Sequence, residues 1–510
     1  MTRTRRLISG VGVGYVNQFI TTVVGIWLTA FLLLRLGQEN YGLWLLVVQV
    51  VGFLGLLDLG VTVIVPREIA FATGRERRGR ETAHTEVRKL VGQTANHVLM
   101  QIPIVILIGI GVLLLLPQGW AAAQFPLAVV LLVYVATFPL RIFQATLSGL
   151  QDFAAVAAIT TASWLAGTLV TVALVLEGFG LYSVAIGWSV TQILIAVLGF
   201  LRLRRSFPDA LPRRLPKLDR LYLRERIMRH FWVSTQQVAH VLLSGTDLLI
   251  IGKVMGPLAV VPYFCTAKII TVLRHQPQLL MDTATPALSE LRTGESPDRL
   301  IRALTSLNVS ALLFSGLLAC LTLVVNEGFV GWWVGSERFA GLSLTLLLVT
   351  NSVVRHMARG LQHGIFAYGE DKFISMVTLS DGVVTVGVGV VLVYFIGLPG
   401  VVIASLAGAL LIAIPANLIR FGKCSGTRLS VSLAPMVPWL WRFSLVLTLS
   451  AAIAWRWRPQ SLVEIVAAAV AITIAYVVLM APVALREPVG TYLRPRLGRF
   501  LPFLRRVQDG

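Results

Sequence analysis

The chain is built from long apolar stretches separated by short polar segments. Each stretch has about 20 mostly apolar residues, enough for a helix to cross roughly 30 Å of hydrocarbon. We therefore predict an all-α polytopic membrane protein with about 14 transmembrane helices. The predicted spans are 8–34, 41–65, 90–116, 125–148, 153–176, 180–201, 230–252, 257–281, 303–325, 340–365, 374–396, 399–420, 436–455 and 461–484.

Two of these stretches have unusual features. The first follows Arg3, Arg5 and Arg6, but it is too long for a signal peptide and lacks a small-residue cleavage site, so we predict a retained helix. The tenth contains polar residues between Arg355 and His363. This segment predicts a helix that is broken or that lines water.

Several landmarks recur at nearly one offset along the chain. The pairs are Pro66 and Pro286, 220 residues apart, Arg141 and Arg359, 218 apart, and Gly180 and Gly397, 217 apart. Such a spacing indicates a duplicated membrane unit, and an even number of helices per repeat makes the repeats parallel. We expect two six-helix lobes around a central cavity, followed by two further helices.

These features predict four regions. They are an N-lobe with helices 1–6 (1–201), a basic cytoplasmic linker (202–229), a C-lobe with helices 7–12 (230–422), and helices 13–14 with a basic cytoplasmic tail (423–510). Prolines at 208, 212 and 216 predict a non-helical first half of the linker. Its second half is either a basic amphipathic helix on anionic lipid or a solvated connector.

The positive charges that give the net charge of +20 are concentrated in alternate loops, as expected for a protein with several membrane-spanning helices. Most of the 44 Lys and Arg residues fall in the N-terminal leader, in alternate loops and in the C-terminal tail. This asymmetry is the positive-inside pattern and places both termini in the cytoplasm. The 56% hydrophobic content and mean hydropathy of +0.80 support a membrane protein rather than a nucleic-acid-binding one.

Motifs for catalysis are absent from the sequence. It has no Gly-x4-Gly-Lys-Ser/Thr, HExxH or GxSxG pattern, and its three cysteines lack metal-ligand spacing. The longest predicted outer loop, 326–339, is too short to carry an external catalytic domain. We therefore predict that the protein is not an enzyme and needs no metal or cofactor.

Basic residues inside the predicted helices are the strongest candidates for binding. Each costs roughly 2.5–3.5 kcal/mol at a helix centre, so they should face the protein interior rather than lipid. Guanidinium groups suit phosphate through bidentate hydrogen bonds, which favours an anion-binding lumen. The predicted substrate-binding residues are Arg141, Lys268, Arg274, Arg355 and Arg359.

The alternative is that these cations form structural pairs with buried acids or reach the inner interface. The acids available within helices are Asp58, Asp247, Glu327 and Asp381. Asp58, Asp247 and Asp381 are also candidates for coupling transport to Na⁺ or H⁺, although a local hydrogen-bonding role is favoured for Asp58.

Several motifs resemble one known family. They are the segments 37–43 (GQENYGL), 57–60 (LDLG), 67–70 (REIA) and 149–153 (GLQDF), the last preceded by Arg141. This pattern is similar to the polysaccharide transporter family, which includes the Wzx-type O-antigen flippases. Multidrug-and-toxin extruders and lipid II flippases belong to the same superfamily.

The resemblance implies a flippase that works by alternating access. Its cargo would be an undecaprenyl-pyrophosphate-linked oligosaccharide for cell-surface polysaccharide biosynthesis, carried across the bacterial inner membrane. Implied partners are the bilayer, this lipid-linked glycan and a glycan polymerase or glycosyltransferases, with no nucleic acid.

Three other functions are possible from the sequence. An ion-coupled drug or metabolite antiporter of the same superfamily would favour acids rather than arginines in the lumen. A major-facilitator carrier is disfavoured because loop 67–89 lacks Gly-x3-Asp-Arg-x-Gly-Arg. A membrane glycan polymerase or ligase would need a larger outer loop.

Overall fold

The computed structural model describes residues 3–58, 61–76, 83–212, 234–294, 297–426, 434–491 and 494. Within these ranges the regular elements are helices, and no strand occurs. The α-helices are α1 Arg3–Leu54, α2 Val61–Glu76, α3 Ala83–Leu114, α4 Gln124–Thr137, α5 Arg141–Gly149, α6 Phe153–Leu176, α7 Leu181–Ser206, α8 Ser234–Ser244, α9 Asp247–Val254, α10 Pro257–Leu273, α11 His275–Gly294, α12 Pro297–Val334, α13 Leu342–Ala367, α14 Asp371–Ile396, α15 Pro399–Gly408, α16 Ile414–Ser425, α17 Val437–Arg456 and α18 Leu462–Ala484.

The predicted class, an all-α multi-pass membrane protein, is confirmed. In the described residues, 11 helices are long and apolar enough to cross a membrane, or up to 12 if α8 and α9, bent by 51°, form one span. The count of about 14 is not confirmed. The count of 11 or 12 takes α1 as one span, although α1 consists of two helices joined across the kink at Gly37, and it leaves out α13, which is less apolar.

The GQENYGL motif forms a kink within α1. Gly37 has φ of +80°, a conformation that glycine adopts without a side-chain clash. Gln38 Nε2 donates to the Leu258 carbonyl at 2.9 Å, and the Pro257 carbonyl occupies the position that a Cβ on Gly42 would take. The motif therefore combines a helix break with a close backbone approach.

The second predicted span does not end at Pro66, so that boundary is wrong. Instead, α1 ends at Leu54, a 3₁₀ turn covers Gly55–Asp58, and α2 continues through Pro66 to Glu76. Proline removes only one helical hydrogen bond, and packing on a neighbouring helix outweighs this loss. Pro66 and Ile69 lie against Gly149 of α5, where no side chain separates the two helices.

The tenth predicted span is also not broken. It forms the continuous helix α13. The helix is interrupted instead in an earlier segment, at Arg274 between α10 and α11. Arg355, His356 and Gln362 of α13 form hydrogen bonds with neighbouring helices, which satisfies these side chains without a break in the helix.

Two compact units make up the chain. The N-terminal unit contains residues 1–241 and 256–258, and the C-terminal unit contains 242–255 and 259–510. The boundaries predicted for the two lobes stay predictions, and residues 213–229 of the predicted linker lie outside the described residues.

The duplication is visible in matching contacts within each unit. Gln144 donates to Thr160 at 2.9 Å, and Gln362, 218 positions later, donates to Thr378 at 3.3 Å. The ion pair of Arg202 with Asp152 (2.9 Å) likewise has a counterpart 218 positions later in Arg420 and Glu370 (2.6 Å). Equivalent positions therefore make equivalent contacts in the two repeats.

Small residues bring the fifth and sixth helices of each repeat together. In the N-terminal unit, a Cβ on Gly167 of α6 would overlap the Thr191 hydroxyl of α7. In the C-terminal unit, a Cβ on Gly408 of α15 would overlap the Thr385 hydroxyl of α14. The close contact is kept, but the small residue has moved to the opposite helix.

A π-helical turn at Ala409–Ala413 explains why the offset changes along this helix. Gly180 and Gly397 are 217 positions apart, whereas Arg202 and Arg420 are 218 apart. A π-turn holds one extra residue, which accounts for the difference.

The last two helices pack on α12. Gly316 faces the Tyr476 hydroxyl and the Phe443 ring, and Tyr476 donates to the Leu313 carbonyl at 2.8 Å. Gly328 faces the Pro459 carbonyl. Helices α17 and α18 are therefore an integral part of the C-terminal unit.

Candidate functional site

Helix α13 brings three polar side chains to the centre of the C-terminal unit. Arg355, His356 and Arg359 lie within two turns of this helix. Arg355 and Arg359 are four residues apart, a like-charge spacing that destabilises an isolated helix. Their stability here depends on groups supplied by neighbouring helices.

Arg355 is surrounded by oxygen atoms. Nη1 forms an ion pair with Asp381, which is only 1% exposed, and Nη2 donates to the second carboxylate oxygen at 3.2 Å. Nη2 also contacts the Ser405 carbonyl at 2.7 Å and the Ser405 and Thr385 hydroxyls at 3.0 and 3.4 Å. Of the predicted substrate-binding residues, Arg355 is thus the one whose hydrogen-bonding capacity is most fully used.

His356 holds the break between α10 and α11. Its Nε2 lies 2.9 Å from the Arg274 carbonyl, and its Nδ1 lies 2.6 Å from the Ser315 hydroxyl. Because a carbonyl can only accept, Nε2 carries a proton, and a neutral ring then accepts from Ser315 at Nδ1. This link fixes the position at which Arg274 leaves the helix.

Arg274 and Arg359 lie within electrostatic range of each other and of His275. With the Gln278 amide oxygen turned towards Arg359, that oxygen accepts from both Nη atoms at 2.9 Å. No carboxylate of the described residues lies within ion-pair distance of Arg274 or Arg359. These two guanidinium groups can therefore offer hydrogen bonds to an added anion.

Acidic groups limit the positive charge of this region. Asp247 lies within electrostatic range of Arg274 and Arg355, and it accepts a hydrogen bond of 2.7 Å from Tyr263. Asp282 lies within range of Arg359 and contacts His363 at 3.3 Å. The region therefore contains charges of both signs.

Lys268 is separate from these groups. It lies on α10 with its amino group 5.1 Å from the centre of the Phe264 ring, which is a cation–π distance. Among the described residues it makes no ion pair. Glu327, predicted as a possible partner of the buried cations, instead contacts Arg458 at 3.2 Å.

The N-terminal unit contains the remaining predicted residues. The Arg141 guanidinium carbon lies 4.5 Å from the Tyr134 ring centre and 5.6 Å from that of Phe138. Asp58 is 5% exposed and accepts a hydrogen bond of 2.6 Å from Thr62. Both charges lie within electrostatic range of the Tyr134 phenol.

The structure thus brings together Arg274, Arg355, Arg359, Asp247 and Asp381 but not Lys268, and it places Arg141 and Asp58 in the other unit. The sequence analysis missed several polar neighbours, namely Gln278, Ser315, Thr385, Ser405 and Tyr263. Asp381 and Thr385, one turn apart in an apolar helix, were a detectable signal for one of these groups. In the described residues no cluster of three or more His, Cys, Asp or Glu side chains could hold a metal.

Comparison with known proteins gives one family match and several similar structures. Residues 119–337 match the model of a family described as "Polysaccharide biosynthesis protein". No curated protein sequence matches the chain.

The fold is similar to those of solved flippases and transporters. A structure of the lipid II flippase MurJ in an inward closed conformation has a TM-score of 0.64 at 10% identity, covering 92% of this chain and 99% of the other. The multidrug transporter DinF-BH of the MATE family has a TM-score of 0.54 at 15% identity, covering 84% and 96%. An outward-facing MATE transporter of the MOP superfamily has a TM-score of 0.50 at 17% identity, covering 82% and 94%.

These likenesses span nearly the whole length of the solved proteins, which are transporters and flippases rather than enzymes. At these identities they establish the fold alone, and the family model adds the link to polysaccharide biosynthesis. The chain is a multi-pass membrane protein with the fold of MOP-superfamily flippases and transporters, and the predicted resemblance to the polysaccharide transporter family is confirmed.

Proposed function

We propose that this protein is a flippase that carries an undecaprenyl-pyrophosphate-linked oligosaccharide across the bacterial inner membrane by alternating access. The product would serve cell-surface polysaccharide synthesis, as in the Wzx-type O-antigen flippases. The observation that carries the proposal is the likeness to a lipid II flippase over 92% of the chain, together with the family match at 119–337. The distribution of Lys and Arg supports cytoplasmic termini.

Arg274 and Arg359 are the proposed ligands of the diphosphate in the C-terminal unit. Their side chains are near one another and are free of ion pairs with described carboxylates, so a diphosphate can accept hydrogen bonds without first breaking a salt bridge. Bidentate guanidinium–phosphate contacts contribute roughly twice the energy of neutral hydrogen bonds. Lys268 and Arg141 are further candidates, because each lies against aromatic rings and forms no ion pair with a carboxylate of the described residues.

Ion coupling is part of the proposal because the sequence contains no nucleotide-binding motif. Asp247 accepts a hydrogen bond from the Tyr263 hydroxyl and Asp58 accepts one from the Thr62 hydroxyl, and a carboxylate in such surroundings can bind a proton or Na⁺. One charge moving with the membrane potential gains about 2.3 kcal/mol per 100 mV, which would bias transport substantially. Asp381 is a weaker candidate because Arg355 already neutralises it.

The first test is to deplete the protein and identify the lipid-linked species that accumulates on the cytoplasmic leaflet. We expect an undecaprenyl-pyrophosphate oligosaccharide, and a neighbouring polymerase or glycosyltransferase would then be a partner that handles the same lipid. Unchanged distribution of every lipid-linked glycan would contradict the proposal.

The second candidate is a drug or metabolite antiporter, which the likeness to DinF-BH supports. Purified protein reconstituted in vesicles distinguishes the two functions. Ion-driven efflux of small organic cations, with no movement of a lipid-linked glycan, would favour the antiporter.

A further inference from the structure

The surroundings of Arg355 form a ready-made cation site. Its guanidinium contacts the carboxylate of Asp381, the hydroxyls of Thr385 and Ser405, and the carbonyl of Ser405. Thr385 donates to Asp381 at 3.2 Å, and Ser405 donates to Asn351 at 3.2 Å, so both hydroxyls have oxygen lone pairs directed at the cation. The atoms around Arg355 are all oxygens, as in sites for hard cations.

The N-terminal repeat folds without a charged group at the positions equivalent to Arg355 and Asp381. Counting back 218 positions, the equivalents of Arg355, Asp381 and Thr385 are Thr137, Ser163 and Gly167. Thr137 donates to the Val133 carbonyl of its own helix, and Ser163 is fully buried with no hydrogen-bond partner among the described atoms. The N-terminal unit therefore forms the same helix contacts without any charge at these positions.

Arg355 and Asp381 depend on each other electrostatically. A carboxylate that is 1% exposed needs a positive charge beside it, and the cost of burying it alone is several kcal/mol. A tethered guanidinium meets this need without the entropy loss of capturing an ion from solution. As long as Arg355 stays in place, no dissociable cation has room beside Asp381.

We propose that Arg355 is a built-in cation that occupies a monovalent-cation site formed by Asp381, Thr385 and Ser405. In the unaltered protein this site takes no ion from solution, and Arg355 acts as a positioning residue rather than a diphosphate ligand. Removal of the Arg355 side chain opens the site to Na⁺. The inference concerns stability and ion binding, so it holds whichever cargo the protein moves.

The test is thermal unfolding of the purified full-length protein in detergent, at constant ionic strength, with NaCl replaced stepwise by choline chloride. Any Na⁺ dependence of the unaltered protein should be unchanged in Asp381→Asn, because Na⁺ bound at Asp247 or Asp58 does not involve this site. Arg355→Ala should melt lower in choline and should recover by several degrees, saturably, as Na⁺ is added. The double variant Arg355→Ala/Asp381→Asn should have no such Na⁺ dependence, because the carboxylate is gone.

Arg355→Lys is the matched control, since it keeps a tethered charge and should respond to Na⁺ no more than the unaltered protein does. Equal melting of Arg355→Ala in Na⁺ and choline would overturn the proposal. A second contradicting result would be that Arg355→Ala cannot be isolated even at high NaCl while Arg355→Ala/Asp381→Asn folds. Na⁺ bound at Asp381 should stabilise the Arg355→Ala protein enough for it to be isolated. Saturable Na⁺ stabilisation of the unaltered protein that is lost in Asp381→Asn would also overturn it, because the site would then already be open.

Discussion

The two repeats share a scaffold but differ in the chemistry of their centres. Matching ion pairs and amide–hydroxyl hydrogen bonds occur 218 positions apart in both units. At the position where the C-terminal unit buries Arg355 with Asp381, the N-terminal unit has Thr137 and Ser163. The matching contacts are thus the same in both repeats, whereas a buried charge pair occurs at these positions only in the C-terminal repeat.

The repeats also differ in how they hold the equivalent arginines Arg141 and Arg359. Arg141 lies over the rings of Tyr134 and Phe138, whereas Arg359 faces the amide of Gln278. An aromatic ring contacts one face of a guanidinium and leaves its N–H edge available, but an amide oxygen uses part of that edge. Equivalent position therefore does not imply equal availability to an anion.

The largest expected difference concerns the buried charge pair. Asp381→Ala leaves Arg355 without its counter-ion and should destabilise the protein by about 3–5 kcal/mol. Its counterpart Ser163→Ala removes a buried hydroxyl with no partner among the described atoms and should cost less than about 1 kcal/mol. Unfolding midpoints in detergent compare the two; similar shifts would mean that the centres of the repeats are not energetically distinct.

The next prediction concerns transport. Arg359→Ala should lower the rate of lipid-linked glycan flipping by about tenfold or more, because charged hydrogen bonds contribute about 1.5–3 kcal/mol each. Arg359→Lys should retain part of the activity, since it keeps the charge but loses the bidentate geometry.

Arg442→Ala on α17 is the control for this experiment, because Arg442 contacts Trp441 and lies outside the repeats. Rates measured in reconstituted vesicles should be unaffected by it. Comparison with Arg141→Ala then establishes whether both repeats contribute. Wild-type rates from Arg274→Ala and Arg359→Ala alike would remove them as diphosphate ligands.

A third experiment exchanges the close contact between the paired helices. Gly167→Thr places a side chain against Thr191 and the Gly187 carbonyl, and such overpacking should cost about 1–3 kcal/mol. Adding Thr191→Gly copies the arrangement of Thr385 and Gly408 and should restore part of that loss. Thermal unfolding measures the recovery; none at all would imply that the Gly187 carbonyl contact alone decides the spacing.

The smallest effects should come from the repeated ion pairs. Arg202→Ala and Arg420→Ala each remove a partly exposed pair, and each should cost less than about 1 kcal/mol. Both shifts should shrink as salt increases, because exposed charges are screened. A large or salt-independent shift from either variant would place that pair among the stabilising elements of its repeat.

Sequence patterns determined the class of this protein because the physics involved is local. A run of about 20 apolar residues must cross the membrane as a helix, and a fixed offset between landmarks reports duplication without any knowledge of contacts. These two signals predicted the all-α membrane fold and the equivalence of Arg141 and Arg359. The family motifs are also local: the motif at 37–43 contains the kink in α1, and Leu57 and Asp58 lie in the 3₁₀ turn Gly55–Asp58.

Only the tertiary structure decided the roles of the buried charges. Nothing in the local sequence assigns Asp381 to Arg355, because the contact joins separate helices and also needs Ser405 from a third. For the same reason the sequence predicted that this helix is broken or lines water, but α13 is continuous. His356 contacts Ser315 and the Arg274 carbonyl, and the interruption occurs at Arg274, between α10 and α11. The free-energy cost of burying a polar group depends on its neighbours in space. The sequence therefore identified which residues need hydrogen-bond or charge partners, and the packing of the helices determined which partners they have.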